Sequence, residues 1–297
     1  MPVRVGHIEF LNCHPLYYGL ERRRGAGGHG RAVASSAAGR QTAAGVEFEL
    51  VPGVPTDLNR MLLAGTIDFG PISSIAYARN SRVFALSRRL SISSSGAVDS
   101  IQLVTKKPLE AVRTIALTPK SATSIALLKT ILSLRYGHPD REYRELLGPP
   151  ETALDENEAV LLIGDEGLEA MYFPRRGTFR YDLGHLWYEW VGLPMVYAVW
   201  ATRLDFLRRN AAGVRAVEDE LVLSMDYARE QEELVVESAV GLSRFDRPCL
   251  TRYFRLLHYG FAPEYQAGLR RFFELAFQAG ELPEVPELRF LDEEVVE

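Results

Sequence analysis

Residues 46–74, VEFELVPGVPTDLNRMLLAGTIDFGPISS, hold a strand, a helix and a second strand in direct succession. VEFELVPG reads as the first strand, and PTDLNRMLLAG as an amphipathic helix with Pro55 near its start, where a missing N–H costs nothing. TIDFGPISS returns as a strand and ends in a Gly-Pro-Ser-Ser turn. Strand, helix and strand in this order predict an α/β architecture with mixed, mainly parallel sheets flanked by helices.

The same pattern extends to both sides. VRVGHIEFL (Val3 to Leu11) reads as a buried strand, and NCHPLYYGL as a loop entering a short helix. Arg22 to Gly45 is rich in Gly, Ala and Arg without apolar periodicity, which predicts a flexible insertion that adds nothing to a core. SIAYARN gives a further short helix, and LSISSSGAVDSIQLVTKK (90–107) a long extended run suited to crossing between two lobes. The pattern then restarts with TIALT, a helix from Ser121, and EAVLLIGDEGL as a buried strand that ends at Gly164 and Asp165. MVYAVWATR (Met195 to Arg203) is the last extended run, followed by helices, with Pro248 and Pro263 at the expected starts of two of them. The expected division is a first lobe of 1–97 and 204–297, carrying the insertion 22–45, and a second lobe of 98–203 that includes the crossing strands.

Composition bounds the function. A chain of 297 residues, 47% of them hydrophobic, can fill two cores. A net charge of -5, without basic runs interleaved with aromatics, argues against a nucleic-acid partner and for a small ligand. Cys13 and Cys249 are the two cysteines, far apart and without metal-ligand spacing, so neither a disulfide framework nor a metal site is expected. MPVRVGHIEFLNC does not read as a signal peptide, and no segment has the apolar length a bilayer requires, so the expected location is cytoplasmic, with no membrane partner.

Ligands of parallel α/β sheets bind beyond the carboxyl ends of the strands. That rule selects the loops 12–15, 70–74, 93–100, 120–124 and 164–166, with Asn12, Ser73, Ser74, Ser95, Gly96, Ser100, Ser121, Thr123, Ser124 and Asp165 among their residues. DLGHLWYEWVGLP adds an aromatic element with Trp187 and Trp190. Two readings stand for the hydroxyls at Ser121, Thr123 and Ser124. They cap a helix start, or with the helix dipole they form a socket for a carboxylate or phosphate. No GxSxG elbow, HExxH, Walker loop or dinucleotide fingerprint occurs. His7 and His14 flank the first strand end and are candidate bases, against the commoner structural role of a lone histidine.

Taken together, RVGHIEFLNCHPLYYGL, GVPTDLNRMLLAGTIDFGPISSIAYA, SISSSGAVDSIQLV, ALTPKSATSIALLK, LLIGDEGL and DLGHLWYEWVGLPMVYAVWATR resemble, in order, the motifs of the chorismate dehydratase family of the futalosine menaquinone pathway. The Gly/Ala/Arg insertion departs from that pattern. The resemblance implies a two-lobed fold similar to the type II periplasmic binding proteins, with the ligand cleft between lobes. It implies a cofactor-free lyase that dehydrates chorismate to 3-[(1-carboxyvinyl)oxy]benzoate, and leaves a homodimer open. Asn12 and Ser100 match the positions carried over as catalytic. Ser73, Ser74, Ser95, Gly96, Ser121, Thr123, Ser124, Asp165 and Trp187 are the expected substrate-binding residues. The competing readings are a non-catalytic binder of a small carboxylate anion and the related dihydroxynaphthoate-releasing lyase.

Overall fold

The computed structural model describes residues 2–22, 40–137 and 141–293. In chain order, β1 (Val3–Ile8) leads through a short 3-10 turn into α1 (His14–Arg22), and β2 (Arg40–Gln41) precedes β3 (Glu47–Gly53). Then come α2 (Pro55–Ala64), β4 (Phe69–Ser73), α3 (Ser74–Arg79) and β5 (Phe84–Ser94). The middle of the chain forms β6 (Ile101–Thr105), β7 (Thr114–Leu117), α4 (Ala122–Thr130), β8 (Glu142–Glu145), α5 (Ala153–Glu156) and β9 (Ala159–Ile163). It continues through α6 (Gly164–Tyr172), β10 (Phe179–Asp182), α7 (Leu183–Val191) and β11 (Met195–Arg203). Four helices close the chain: α8 (Leu204–Glu230), α9 (Glu232–Leu242), α10 (Arg247–Leu256) and α11 (Pro263–Gln278).

Two sheets result, ordered β2-β3-β1-β4-β11-β5 and β10-β6-β9-β7-β8. Each has a parallel core, β3-β1-β4 in one and β9-β7-β8 in the other. The remaining pairings are antiparallel, so the sheets are mixed and not mainly parallel as the sequence led us to expect. The reason lies in the crossings. β6 enters the second sheet running against β9, and β11 returns between β4 and β5 running against both. This also corrects the expected boundary: Met195–Arg203 belongs to the first sheet by its hydrogen bonds, with Ala198 opposite Ser73 and Met195 opposite Ser94.

The helix of residues 55–64 forms for local reasons. Pro55 and Asp57 occupy its first turn, and the left-handed Gly65 ends it by donating its N–H to the carbonyls of Leu62 and Met61. Leu58 and Leu62, one turn apart, are its fully buried residues. Burial of each contributes about 1.5–3 kcal/mol. Arg4 at the start of β1 grips Asp68 just before β4 through Nε (2.9 Å) and Nη2 (2.7 Å), and Thr202 of β11 donates to the Asp68 carbonyl at 2.7 Å. The three central strands are thereby locked at the end of the sheet remote from the loops that carry the candidate residues.

Most of the expected insertion, residues 23–39, lies outside the described residues. The end of the 22–45 segment does contribute structure. Arg40–Gln41 pairs with β3 as an edge strand, and Thr42 is buried, exchanging hydrogen bonds with Val46. The C-terminal helices return to the first sheet as expected: α8 packs along α1, where Ser224 donates to the Leu16 carbonyl, and α11 packs on β11.

Candidate active site

A cleft opens between the two sheets, lined by Asn12, Ser73, Ser100, Ser121 and Ser124. Apolar side chains, among them Phe10, Ile72, Val98, Ile163 and Leu257, make the rest of its wall together with Tyr197 and Gly164. The polar residues come from four of the strand-end or crossing loops where the rule for parallel α/β sheets places ligands.

Each polar residue is held from behind. Asn12 sits in the 3-10 turn after β1, and its carbonyl accepts from the Tyr259 hydroxyl at 2.7 Å. Its neighbour Leu11 donates its N–H to Asp165 of α6 (3.2 Å), which joins the first-strand loop to the second half. The Asn12 Oδ1 atom is buried and has no hydrogen-bond partner among the described residues. Ser73 ends β4 in a two-point grip by Asn59 of α2: its N–H donates to Asn59 Oδ1 (2.9 Å), and its Oγ accepts from Asn59 Nδ2 (3.0 Å). With that lone pair used, the Ser73 hydroxyl keeps its proton for donation into the cleft. Ser100 stands at the end of the crossing between β5 and β6 and is 3% exposed.

The capping reading of the Ser121 cluster holds. Ser121 is the N-cap of α4, its Oγ accepting from Ser124 N–H at 3.2 Å and lying 2.9 Å from Ser124 Oγ. Both residues also line the cleft. Thr123 instead turns away, its Oγ1 accepting from the Ile75 N–H of α3 at 3.1 Å. Ser74 likewise donates to the Val196 carbonyl (2.7 Å) and ties α3 to β11.

Among the described residues, none of the side chains lining the cleft carries a charge. Lys120, next to the α4 cap, is paired at 2.6 Å with Glu166 of α6. Burial raises the pKa of Asp165, the Leu11 N–H opposing that rise, so this carboxyl too is turned to a structural bond. The starts of α3, α4 and α6 all open on the cleft through Ser73, Ser121 and Gly164, and their first-turn amides are the positive ends of the helices. Gly164 has φ +60°, a conformation that favours glycine, and a Cβ there would press on the Phe10 ring at 3.0 Å, so glycine gives Phe10 room over the α6 start.

Other expected residues stand apart. Ser95 is exposed and Gly96 half-buried in the crossing loop, neither against the cleft wall. Trp187 must be corrected: it is fully buried, donates its indole N–H to the Leu193 carbonyl (2.9 Å), and packs edge-on against Trp190 and Phe272. It is a core residue of α7. His7 packs on Tyr17, where burial lowers its pKa to about 4, and His14 packs between Tyr18 and Phe254, its pKa also lowered by burial. Neither lines the cleft. Sequence reasoning missed Asn59 and Tyr197. Asn59 gives no local signal, whereas Tyr197 lies in a run recognised as a crossing strand.

Residues 3–278 match the menaquinone biosynthesis family. A chorismate dehydratase from Thermus thermophilus is 35% identical over 172 residues, which is 53% of this chain and 62% of that relative. The chain therefore spans somewhat under two thirds of that relative's length. Among solved structures, a protein from Archaeoglobus fulgidus is similar with a TM-score of 0.72 at 21% identity, over 95% of this chain and 98% of that one. The alkanesulfonate-binding protein from Xanthomonas axonopodis pv. citri, bound to MOPS, is similar at a TM-score of 0.67 and 14% identity, over 97% and 96%. A Candida albicans protein with the generic periplasmic binding protein fold has a TM-score of 0.62 at 11% identity, over 97% and 93%. These likenesses establish the two-lobed periplasmic-binding-protein-like fold that the motifs implied.

Proposed function

We propose, for a chain that belongs to the menaquinone biosynthesis family, that it is a lyase removing water from chorismate to give 3-[(1-carboxyvinyl)oxy]benzoate. The observation that carries this reading is the buried amide oxygen of Asn12, unpartnered among the described residues, in a cleft whose described wall is built of apolar side chains, neutral hydroxyls and helix starts. Chorismate has two carboxylates. Hydroxyls and helix-start amides can hold both without an expensive buried charge pair.

The chemistry follows from the substrate. The proton lost sits on the ring carbon that bears the ether, in vinylogous relation to the ring carboxylate. As it leaves, electron density moves into that carboxylate as a dienolate; hydroxide then departs from the adjacent carbon, and the ring becomes aromatic. The departing hydroxide and the proton make up the water released. Donors preorganised around the ring carboxylate stabilise the charge where it develops. Ser73, with its proton free, and the Ser121/Ser124 pair at the α4 start supply such donors.

In this reading the base is the substrate's own enolpyruvyl carboxylate, held by Asn12 and Ser100 against the proton it takes; that no charged side chain lines the cleft among the described residues supports it. Asn12 then uses its amide N–H for that carboxylate and its open Oδ1 for the ring hydroxyl. Asn12 belongs to the first lobe and Ser100 to the second, and the setting for the enzyme is the cytoplasm. Incubation of the purified protein with chorismate alone tests the assignment. Accumulation of the aromatic ether supports it; chorismate recovered unchanged from a tight complex would show a binding protein instead.

A further inference from the structure

The crossing loop contains the one non-glycine residue with positive φ among the described residues, Asp99 at +57°, and it directly precedes Ser100. The Ser100 N–H donates to the Val98 carbonyl at 2.7 Å, spanning Asp99 alone. A hydrogen bond from i+2 to i around a positive-φ centre is the rare, strained form of the γ-turn. Such strain persists only where surrounding bonds over-determine it, and it gathers at functional sites.

Those bonds are present. The Asp99 side chain is 1% exposed, and its Oδ2 accepts from the Tyr172 hydroxyl (2.7 Å) and from Arg252 Nε (2.9 Å), with Arg252 Nη2 at 3.3 Å from Oδ1. Tyr172 ends α6 in the second half, and Arg252 lies on α10 in the C-terminal segment, so the carboxylate is gripped from both sides of the crossing. Asp182 holds the same turn by its backbone, accepting from the N–H groups of Val98 (3.1 Å) and Asp99 (2.7 Å). On the other side, the Ser100 carbonyl presses on α6 so closely that a Cβ at Gly167 would lie 2.1 Å from it.

We infer that Asp99 is a positioning residue: clamped by Arg252 and Tyr172, it holds the strained turn that aims Ser100 into the cleft. The inference deepens the proposed function and rests on it for the role of Ser100. A purely structural clamp would be lost with a drop in stability alone. A positioning clamp controls where the Ser100 hydroxyl stands relative to substrate, and small displacements of such groups cost much of the rate.

The test compares Asp99→Asn, Arg252→Gln and Arg252→Lys with the unaltered full chain. Asparagine tolerates positive φ, so Asp99→Asn removes the ionic grip while leaving the turn accessible. Arg252→Gln breaks the grip from the other side, and Arg252→Lys keeps the charge without the fork. With chorismate as substrate, Asp99→Asn and Arg252→Gln should lower kcat on the order of tenfold to a hundredfold with KM changed less than about threefold, and Arg252→Lys should recover part of the loss. Crystal structures of the unaltered chain and of Asp99→Asn should show the Ser100 hydroxyl displaced from the cleft wall in the variant. Variants with lower unfolding midpoints but unaltered kcat, or a Ser100 that stays in place, would overturn the inference. If the unaltered chain leaves chorismate intact, the proposed reaction fails, and the Ser100 position in the two crystal structures still decides the clamp.

Discussion

Gly167→Ala puts the geometry of the site to a quantitative test. Gly167 lies inside α6, where the helix backbone runs against the carbonyl of Ser100 at 2.1 Å from an added Cβ. Side-chain carbons do not approach closer than 3.0 Å, so helix and crossing loop must separate by about 0.9 Å, and the obstacle is backbone that no rotamer change can move aside. Overpacking of this kind costs about 1–3 kcal/mol of stability. A shift near 1 Å in a residue that positions the reacting group also costs up to about a hundredfold in rate. The assay is kcat and KM for chorismate, with the unfolding midpoint measured on the same preparation. Gly241→Ala is the control, because Gly241 is exposed in α9 with nothing within 4 Å of an added Cβ, and alanine there adds at most about 1 kcal/mol of helix stability. A Gly167→Ala protein that turns over at the unaltered rate would refute the placement of Ser100 against α6 as part of the working site.

Asn12→Ala and Ser100→Ala should each lower kcat on the order of a hundredfold while chorismate affinity, read by calorimetry, falls far less; a matched loss in both would mean ground-state binding only. His7, whose folded pKa is lowered to about 4 by burial, is neutral in the fold, so its contribution is present above the unfolded value near 6.5 and is lost as pH falls through that window towards 4. Unfolding free energies from pH 7 to 4 should accordingly decline less steeply in His7→Gln, and an unchanged slope would show that His7 does not set it. Arg4→Met strips a nearly buried Asp68 (6% exposed) of its ion pair and should destabilise the chain by about 2–3 kcal/mol, the partial exposure of Arg4 softening the full cost of a broken buried pair. Denaturant unfolding of Arg4→Met checks this, and a change below about 0.5 kcal/mol would count the pair as ornamental to the fold.

Local signals carried the parts of the structure that are local. Pro55, Asp57 and the spacing of Leu58 and Leu62 announce α2, and the long apolar runs announce β5, β6 and β11. The direction of β11 was not legible, because it depends on the path by which the chain returns between β4 and β5 and not on the residues of the strand. Trp187 looked like a cleft aromatic because a helix containing WYEW shows no sign of which ring faces the core; the fold buries Trp187 and exposes Tyr188. The hydroxyls of Ser121 and Ser124 were legible as a group, but the division of labour with Thr123 required the position of α3. Asn59 reaches Ser73 across 14 residues, and Tyr172 and Arg252 reach Asp99 across 73 and 153. Contacts at such separations leave no trace in a single chain's periodicity, and neither does the strained φ of Asp99.

The central claim is that this cleft removes the proton from the ether-bearing ring carbon of chorismate and then releases hydroxide. Turnover of chorismate carrying deuterium at that carbon, compared with ordinary chorismate, measures this most directly. The account predicts that both yield 3-[(1-carboxyvinyl)oxy]benzoate, that the deuterium is absent from the product, and that the labelled substrate reacts more slowly wherever proton removal limits the rate. Deuterium retained in the product, or no aromatic ether from either substrate, would contradict it.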